Sequence, residues 1–378
     1  MKRVIFIFAA ILVLAGIYQF WVRKDMSDFS VCYKAGERII QGETIYRESD
    51  GHMQYKYSPP SALFFSAFSF LPYDWARLFW YILEFLFLLG IFILSFKILP
   101  VPEKKAAAAC LWTFLILLKF LGREVELGQV NLFILFILTL MLYSLLEEKE
   151  SISGLFWGIS LFFKPYALVF LPYFLIKRKY RITGVGLALF LFGLALPALF
   201  YGLPGNLLVL EEWPANLSHS TASLLSVYDN ASLYGFLLKA FPASWRLEAQ
   251  IILALALLFL GSVVLWMIKI SRAIQKSQRP EVLEGAFLFI MIPLFSPLGW
   301  YYNYLYSILA VMLIVNALRK FPRALRIILI INFAMIGTSL VEIWGRKLFH
   351  FYTQYSLVVV NYFVVFFGLF YLRHKKIS

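Results

Sequence analysis

Asp28 stands where a carboxylate could do chemistry. It lies a few residues beyond an apolar segment and heads the stretch Phe29–Gln41. On a wheel of 100° per residue, Phe29, Cys32, Tyr33, Gly36, Ile39 and Ile40 share one arc of that stretch. Ser30, Lys34, Glu37, Arg38 and Gln41 take the opposite arc, and only Val31 is out of place. Such a helix is expected to lie flat at a membrane surface, with Gly42 as its C-terminal stop. A carboxylate at that level can act as a general base on a hydroxyl within hydrogen-bond reach. Helix capping or simple solvation is its plainer alternative. Further on, Tyr57-Ser58-Pro59-Pro60 opens the apolar run Ala62–Leu71, which is too short to span and reads as a second interfacial helix.

Ionisable residues within apolar runs are the next candidates, because charge is costly there unless it is used. Lys164 sits beside Pro165 in the middle of the apolar run 152–176. A helix break at that point frees backbone groups to line a cavity, so Lys164 is suited to hold a phosphate, with Arg123 as a second cation. Glu84 and Lys119 could pair with each other or with other protein groups, and Lys119 and Arg123 could instead snorkel. Tyr33, Tyr57 and Tyr302 could pack on sugar faces, although tyrosine also belts membrane interfaces without further purpose.

The elements that must position these residues are membrane helices. Of 378 residues, 62% are apolar and only 15% charged, against roughly 25% charged in soluble domains; mean hydropathy is +0.79. The net charge of +14 is dispersed in short clusters between apolar runs, which is a topology signal and speaks against nucleic acid as a partner. Candidate spans are Val4–Trp21, retained for want of a small-residue cleavage site, and 75–96, 106–121, 130–146, 182–201, 248–268, 283–298, 302–318, 324–341 and 352–372. The run 152–176 completes the set as a hairpin with its tip at Lys164. These make an all-α polytopic protein of about twelve membrane segments in a single domain, 1–378, with both ends cytoplasmic. Clusters at Lys104-Lys105, Lys177 to Arg181, Lys269 to Arg279, Arg319 to Arg326 and Arg373 to Lys376 then fall inside. Two long loops, 22–74 and 202–247, fall outside. The first carries six basic and six acidic residues between Arg23 and Lys56 and is the expected catalytic loop.

Several fragments, in order, resemble the polyprenyl-phosphate-mannose-dependent mannosyltransferases of glycosyltransferase family 87, within the C-type superfamily. They are Asp28-Phe29 with Tyr33, Ala35, Gly42 and Tyr46; Tyr57-Ser58-Pro59-Pro60; Gly128-Gln129-Val130-Asn131; Lys164-Pro165; Asn230-Ala231-Ser232-Leu233; and Ser296-Pro297-Leu298-Gly299-Trp300. The resemblance implies a C-type fold with interfacial helices in the first outside loop, and Asp28 as its essential acid. It implies transfer of a hexose, mannose foremost, from a polyprenyl-phosphate sugar to a glycan or glycolipid acceptor on the outer face, with inversion and without a metal. Asp28 would take the acceptor's proton. Tyr33, Tyr57, Arg123, Gln129, Asn131, Lys164, Asn230, Ser232, Trp300, Tyr302 and Asn303 would bind substrate. One departure stands out: where the family pattern often carries a histidine pair after Trp300, this chain has Tyr302 and Asn303, which cannot shuttle a proton near pH 7.

Two other readings share the hydropathy: a transporter or flippase for a lipid-linked saccharide, and a polymerase or ligase of surface polysaccharides. The two halves show no internal repeat of the kind common in transporters, and a polymerase would work through the second outside loop. The four histidines, at 52, 219, 350 and 374, are too scattered for a metal site, and no cofactor is expected. Cys32 and Cys110 belong to opposite faces of the bilayer and are expected to stay unpaired. The compact loops suit a bacterial inner membrane. Asn216-Leu217-Ser218 and Asn230-Ala231-Ser232 are formal glycosylation sequons.

Overall fold

A computed structural model describes residues 12–99, 103–271 and 279–376. The first half of the expected span Val4–Trp21 lies outside these residues, as does part of the Lys269 to Arg279 cluster; of the Lys104-Lys105 cluster only the helical backbone is described. Among the described residues regular structure is helical, and the one extended pairing is an antiparallel bridge between Asn230 and Trp300.

The first loop folds into α1 (Ser27–Ile40) and α2 (Pro59–Ser69). The expected arc of α1 is its buried face: Phe29, Cys32, Tyr33, Gly36 and Ile39, joined by Ala35. That face meets protein, whereas the sequence pattern had suggested lipid. At Gly36 the two helices approach so closely that a Cβ would lie 2.6 Å from the Phe65 carbonyl carbon. Phe29 stacks on Trp80, with ring centroids 5.7 Å apart. Asp28 is no cap. Met26 occupies the cap position, and Asp28 sits in the first turn of the helix.

α3 (Tyr73–Ile98) and α4 (Glu103–Leu127) are long and apolar enough to cross a membrane. α3 turns Trp80, Glu84, Leu88 and Ile91 inward at helical spacing and leaves Leu86, Leu89 and Ile93 exposed. Apolar side chains facing outward suit lipid as solvent. α5 (Asn131–Leu146) follows after a tight turn, and α6 (Glu150–Phe163) leads to Lys164. Beyond a short 3-10 turn at Pro165–Val169, α7 (Phe170–Ile176) runs back. The Trp157 and Phe174 rings lie 5.3 Å apart, and Lys179 bonds Glu150 at 2.7 Å. Seventeen residues of straight helix would separate those rings by about 25 Å. The segment is therefore a hairpin with Lys164 at its tip. Its base is fastened by Lys177 to Glu284 at 2.9 Å, with buried Arg373 3.6 Å from the same carboxyl.

α8 (Tyr180–Ala195) turns by 95° into α9 (Ala198–Ala222), so much of the expected loop 202–247 is helix. The small α10 (Leu233–Ala240) precedes the spanning α11 (Arg246–Ser271) and the buried α12 (Pro280–Phe295). A 3-10 segment, Tyr301–Ser307, continues into α13 (Ile308–Ala317). α14 (Arg323–Thr338) then bends by 101° into the amphipathic α15 (Val341–Gln354), and α16 (Val358–His374) closes the bundle.

Among the described residues, four helices are long and apolar enough to cross a membrane, or six if each bent pair is one span; α5, α6, α16 and the segment Pro165–Ile176 are shorter apolar helices. The expectation of about twelve took each apolar run outside the 152–176 hairpin as one straight crossing, whereas breaks at 195–198 and at 338–341 bend two of those runs.

Candidate active site

The turn between α4 and α5 builds the centre of the site. Gly128 has φ +66°, and a Cβ there would stand 2.7 Å from the Cβ of Phe29, so the turn and α1 can meet only over a glycine. Trp80 Nε1 holds the Gly128 carbonyl at 3.2 Å, and the Met26 N–H donates to the Glu126 carbonyl at 2.9 Å. Gln129 is thereby aimed at the first turn of α1, and its Nε2 donates to Asp28 Oδ2 at 2.6 Å.

The same amide gathers three more groups. Tyr57 OH donates to Gln129 Oε1 at 3.3 Å, Lys164 Nζ donates to that oxygen at 3.5 Å, and Gln129 Nε2 is 3.2 Å from Tyr302 OH. Lys164 bonds Asn131 Oδ1 more closely, at 2.8 Å, and lies over the rings of Tyr57 (5.5 Å) and Tyr166 (5.6 Å). This ammonium is 7% exposed, and its hydrogen-bond partners among the described residues are neutral amides. A buried cation whose direct hydrogen-bond partners are neutral retains the capacity to pair with an anion.

Asp28, Tyr57, Arg123, Gln129, Lys164, Trp300 and Tyr302 line one cavity of about 1180 Å³. Burial raises the Asp28 carboxyl above its ordinary value; the Gln129 hydrogen bond and the charges of Lys164 and Arg123 pull partly back. Val31, the residue out of place on the wheel, faces this cavity.

The other sequence candidates, Arg123 apart, sit behind the wall. Tyr33 OH donates to the Leu71 carbonyl at 2.8 Å and fixes α1 to the end of α2. Asn230 Nδ2 donates to the Pro297 carbonyl at 3.0 Å, while its Oδ1 accepts from the N–H groups of Gly299 (3.0 Å) and Ser232 (3.1 Å). Ser232 Oγ donates to the Pro297 carbonyl at 3.1 Å. These two residues clamp the second loop to the segment that carries Trp300. Asn303 is buried, and its side-chain amide has no hydrogen-bond partner among the described residues. Arg123 lines the cavity but is already neutralised by Glu126 at 2.7 Å and Asp25 at 3.5 Å. Lys119 bonds Ser339 and does not pair with Glu84, whose carboxyl has no hydrogen-bond partner among the described residues. Both sequon asparagines are buried, and Asn216 Nδ2 is spent on the Tyr55 carbonyl at 2.7 Å.

Two residues escaped the sequence reading. Lys56 lines the cavity, and its place between Tyr55 and Tyr57, just ahead of the double proline, was the available signal. Glu124, wholly buried near the end of α4, was passed over because the run 122–129 reads as a polar connection.

The sequence pattern of glycosyltransferase family 87 matches residues 55–297, well over half of the chain. The chain belongs to glycosyltransferase family 87. Neither a curated protein nor a solved structure matches it. The family 87 match takes in Tyr57, Arg123, Glu124, Gln129, Asn131, Lys164, Asn230 and Ser232, while Asp28 and Trp300–Asn303 flank it. Family 87 membership makes the protein a glycosyltransferase set among membrane helices, acting on a sugar donor and an acceptor.

Proposed function

We propose that this glycosyltransferase moves a hexose, mannose foremost, from a polyprenyl-phosphate sugar to a glycan or glycolipid acceptor on the outer face of a bacterial inner membrane. One observation carries the reading: a carboxylate, Asp28, and a buried ammonium, Lys164, are bonded to the same amide, Gln129, at the wall of a single cavity. A base for the acceptor and a cation for a phosphate thus flank a space that one sugar can occupy. Asp28 takes the proton of the acceptor hydroxyl, whose oxygen forms the new bond to the anomeric carbon. The bond from that carbon to the phosphate oxygen breaks, and its electron pair leaves with the lipid phosphate, which Lys164 and Lys56 hold. Attack opposite the leaving group inverts the centre. The C-type architecture expected from the sequence accords with interfacial helices α1 and α2 carrying the base.

The test is Asp28→Asn in purified protein supplied with a polyprenyl-phosphate hexose and a glycan acceptor. The amide can still accept from Gln129 but cannot take the proton, so turnover should drop about 100- to 10,000-fold with donor affinity kept. Near wild-type turnover per folded molecule would remove Asp28 from the chemistry.

A further inference from the structure

Glu124 is fully buried between α4 and α5. Its Oε1 accepts from the backbone N–H groups of Asn131 (2.6 Å) and Leu132 (3.1 Å), and its Oε2 accepts from Asn131 Nδ2 (2.8 Å). The backbone bonds alone would make it a cap for the start of α5. The side-chain bond does more. With Nδ2 committed to the carboxylate, Asn131 must turn Oδ1 to Lys164 Nζ, 2.8 Å away. The opposite amide orientation is forbidden twice, since an ammonium offers no acceptor and an ionised carboxylate no donor. Gln129 repeats the pattern on the far side, with Nε2 to Asp28 and Oε1 to Lys164. Acid, amide, cation, amide and acid follow one another through the wall of the cavity.

We propose that Glu124 is a positioning residue: through Asn131 it aims the Lys164 ammonium at the phosphate of the lipid donor. It also supplies the countercharge that leaves the Asp28 carboxylate free for the acceptor. The assignment rests on the proposed roles of Asp28 and Lys164. Around Lys164 the facing groups are Glu124, Asp28, Cys32 and Lys56, with Tyr57 and Tyr166 at its flanks. Around Asp28 they are Gln129, Lys164, Asp25 and Arg123, together with Lys56, Cys32, Tyr57 and Tyr302.

Glu124→Gln separates positioning from capping. A glutamine can keep accepting from the two backbone N–H groups only by turning its NH2 to Asn131. Asn131 must then flip and present its own NH2 to Lys164, which keeps only the longer bond to Gln129. The double variant Glu124→Gln with Asn131→Asp restores every donor–acceptor pairing and the lost charge. Binding of undecaprenyl phosphate to the purified full-length protein is measured against undecaprenol, which lacks the phosphate. Glu124→Gln is expected to weaken undecaprenyl phosphate roughly ten- to a hundredfold, the worth of one hydrogen bond to a charged group. Undecaprenol binding should be unchanged, and the double variant should recover most of the loss. The acid limb of the transfer rate should move to lower pH in Glu124→Gln, because Lys164, released by one acid, leans on Asp28. A single variant that only melts earlier, with phosphate affinity within twofold and an unmoved acid limb, makes Glu124 a cap and overturns the proposal. So does a folded double variant that fails to regain binding, whatever becomes of the single one. If the wild type holds undecaprenyl phosphate no better than undecaprenol, the donor reading itself fails and takes this assignment with it.

Discussion

Gly36→Ala asks whether the crossing of α1 and α2 sets the position of the proposed base. The new methyl would stand 2.6 Å from the Phe65 carbonyl carbon and 2.7 Å from the Ser66 nitrogen, against 3.4 Å for ordinary contact. Both neighbours are backbone, so the helices must part by about 0.8 Å at that point, the difference between the contact and its ordinary limit. Asp28 lies eight residues back on the same rigid helix, roughly 12 Å along its axis. A comparable shift there stretches its 2.6 Å bond to Gln129 to the limit of hydrogen bonding. Overpacking costs about 1–3 kcal/mol, and the helix propensity of alanine returns about 1 kcal/mol, so the protein should still fold. A misplacement on the order of 1 Å nevertheless costs about 100-fold in rate. The assay compares turnover per folded molecule and thermal unfolding in detergent for Gly36→Ala and for Gly184→Ala. At Gly184, a helical position, a Cβ meets nothing within 4 Å. The expected pattern is a loss of about 100-fold in Gly36→Ala and none in the control. Full turnover in Gly36→Ala would show that α1 is not held in place by this contact.

Three further outcomes follow from the same geometry. Because burial raises the Asp28 carboxyl, protonation on lowering the pH disables it early: the rate should fall on the acid side from a pH above the ordinary carboxylate value of about 4. The residual rate of Asp28→Asn should show no such limb. Lys56→Ala should raise the donor KM about tenfold, as loss of one hydrogen bond to a charged group does, while Arg123→Ala, already paired with Glu126 and Asp25, should change it little; the reverse order would mean that Arg123 abandons its carboxylates when donor binds. Cys32 and Cys110 are both free thiols, so reduction should leave the mobility of the denatured monomer unchanged on a gel.

The amphipathic pattern of α1 was readable because burial on one side leaves a strict spacing of apolar residues, and the break at Lys164-Pro165 because proline cannot continue a helix. Cluster counting along the chain favoured the hairpin, and the Trp157–Phe174 contact bears it out. Four things were out of reach. Whether Arg123 is free depends on Asp25, a loop residue whose distance no local pattern encodes. Asn230 and Ser232 form a recognisable fragment, yet only the folded chain reveals that their polar atoms are used up on Pro297 and Gly299. The bends after α8 and α14 depend on where each helix meets its neighbours, and hydropathy averages over them. Glu124 hides because its partners, Asn131 and Leu132, stand across a turn that composition marks as surface.

The hairpin carrying Lys164 is tied at both extremities. Lys179 and Lys177 secure its base to Glu150 and Glu284, while near its tip the Ser58 hydroxyl holds the Phe162 carbonyl. Ser58 also opens α2, and α2 is packed on α1, so Asp28 and Lys164 ride on one continuous body of protein. Bilayers differ in thickness, and membrane proteins answer by sinking, rising or tilting. Such movements change the depth at which this body floats while leaving the separation of its acid and its cation untouched. On the proposed lipid-phosphate donor, adjustment to a thicker or thinner membrane would then fall to the flexible polyprenyl tail.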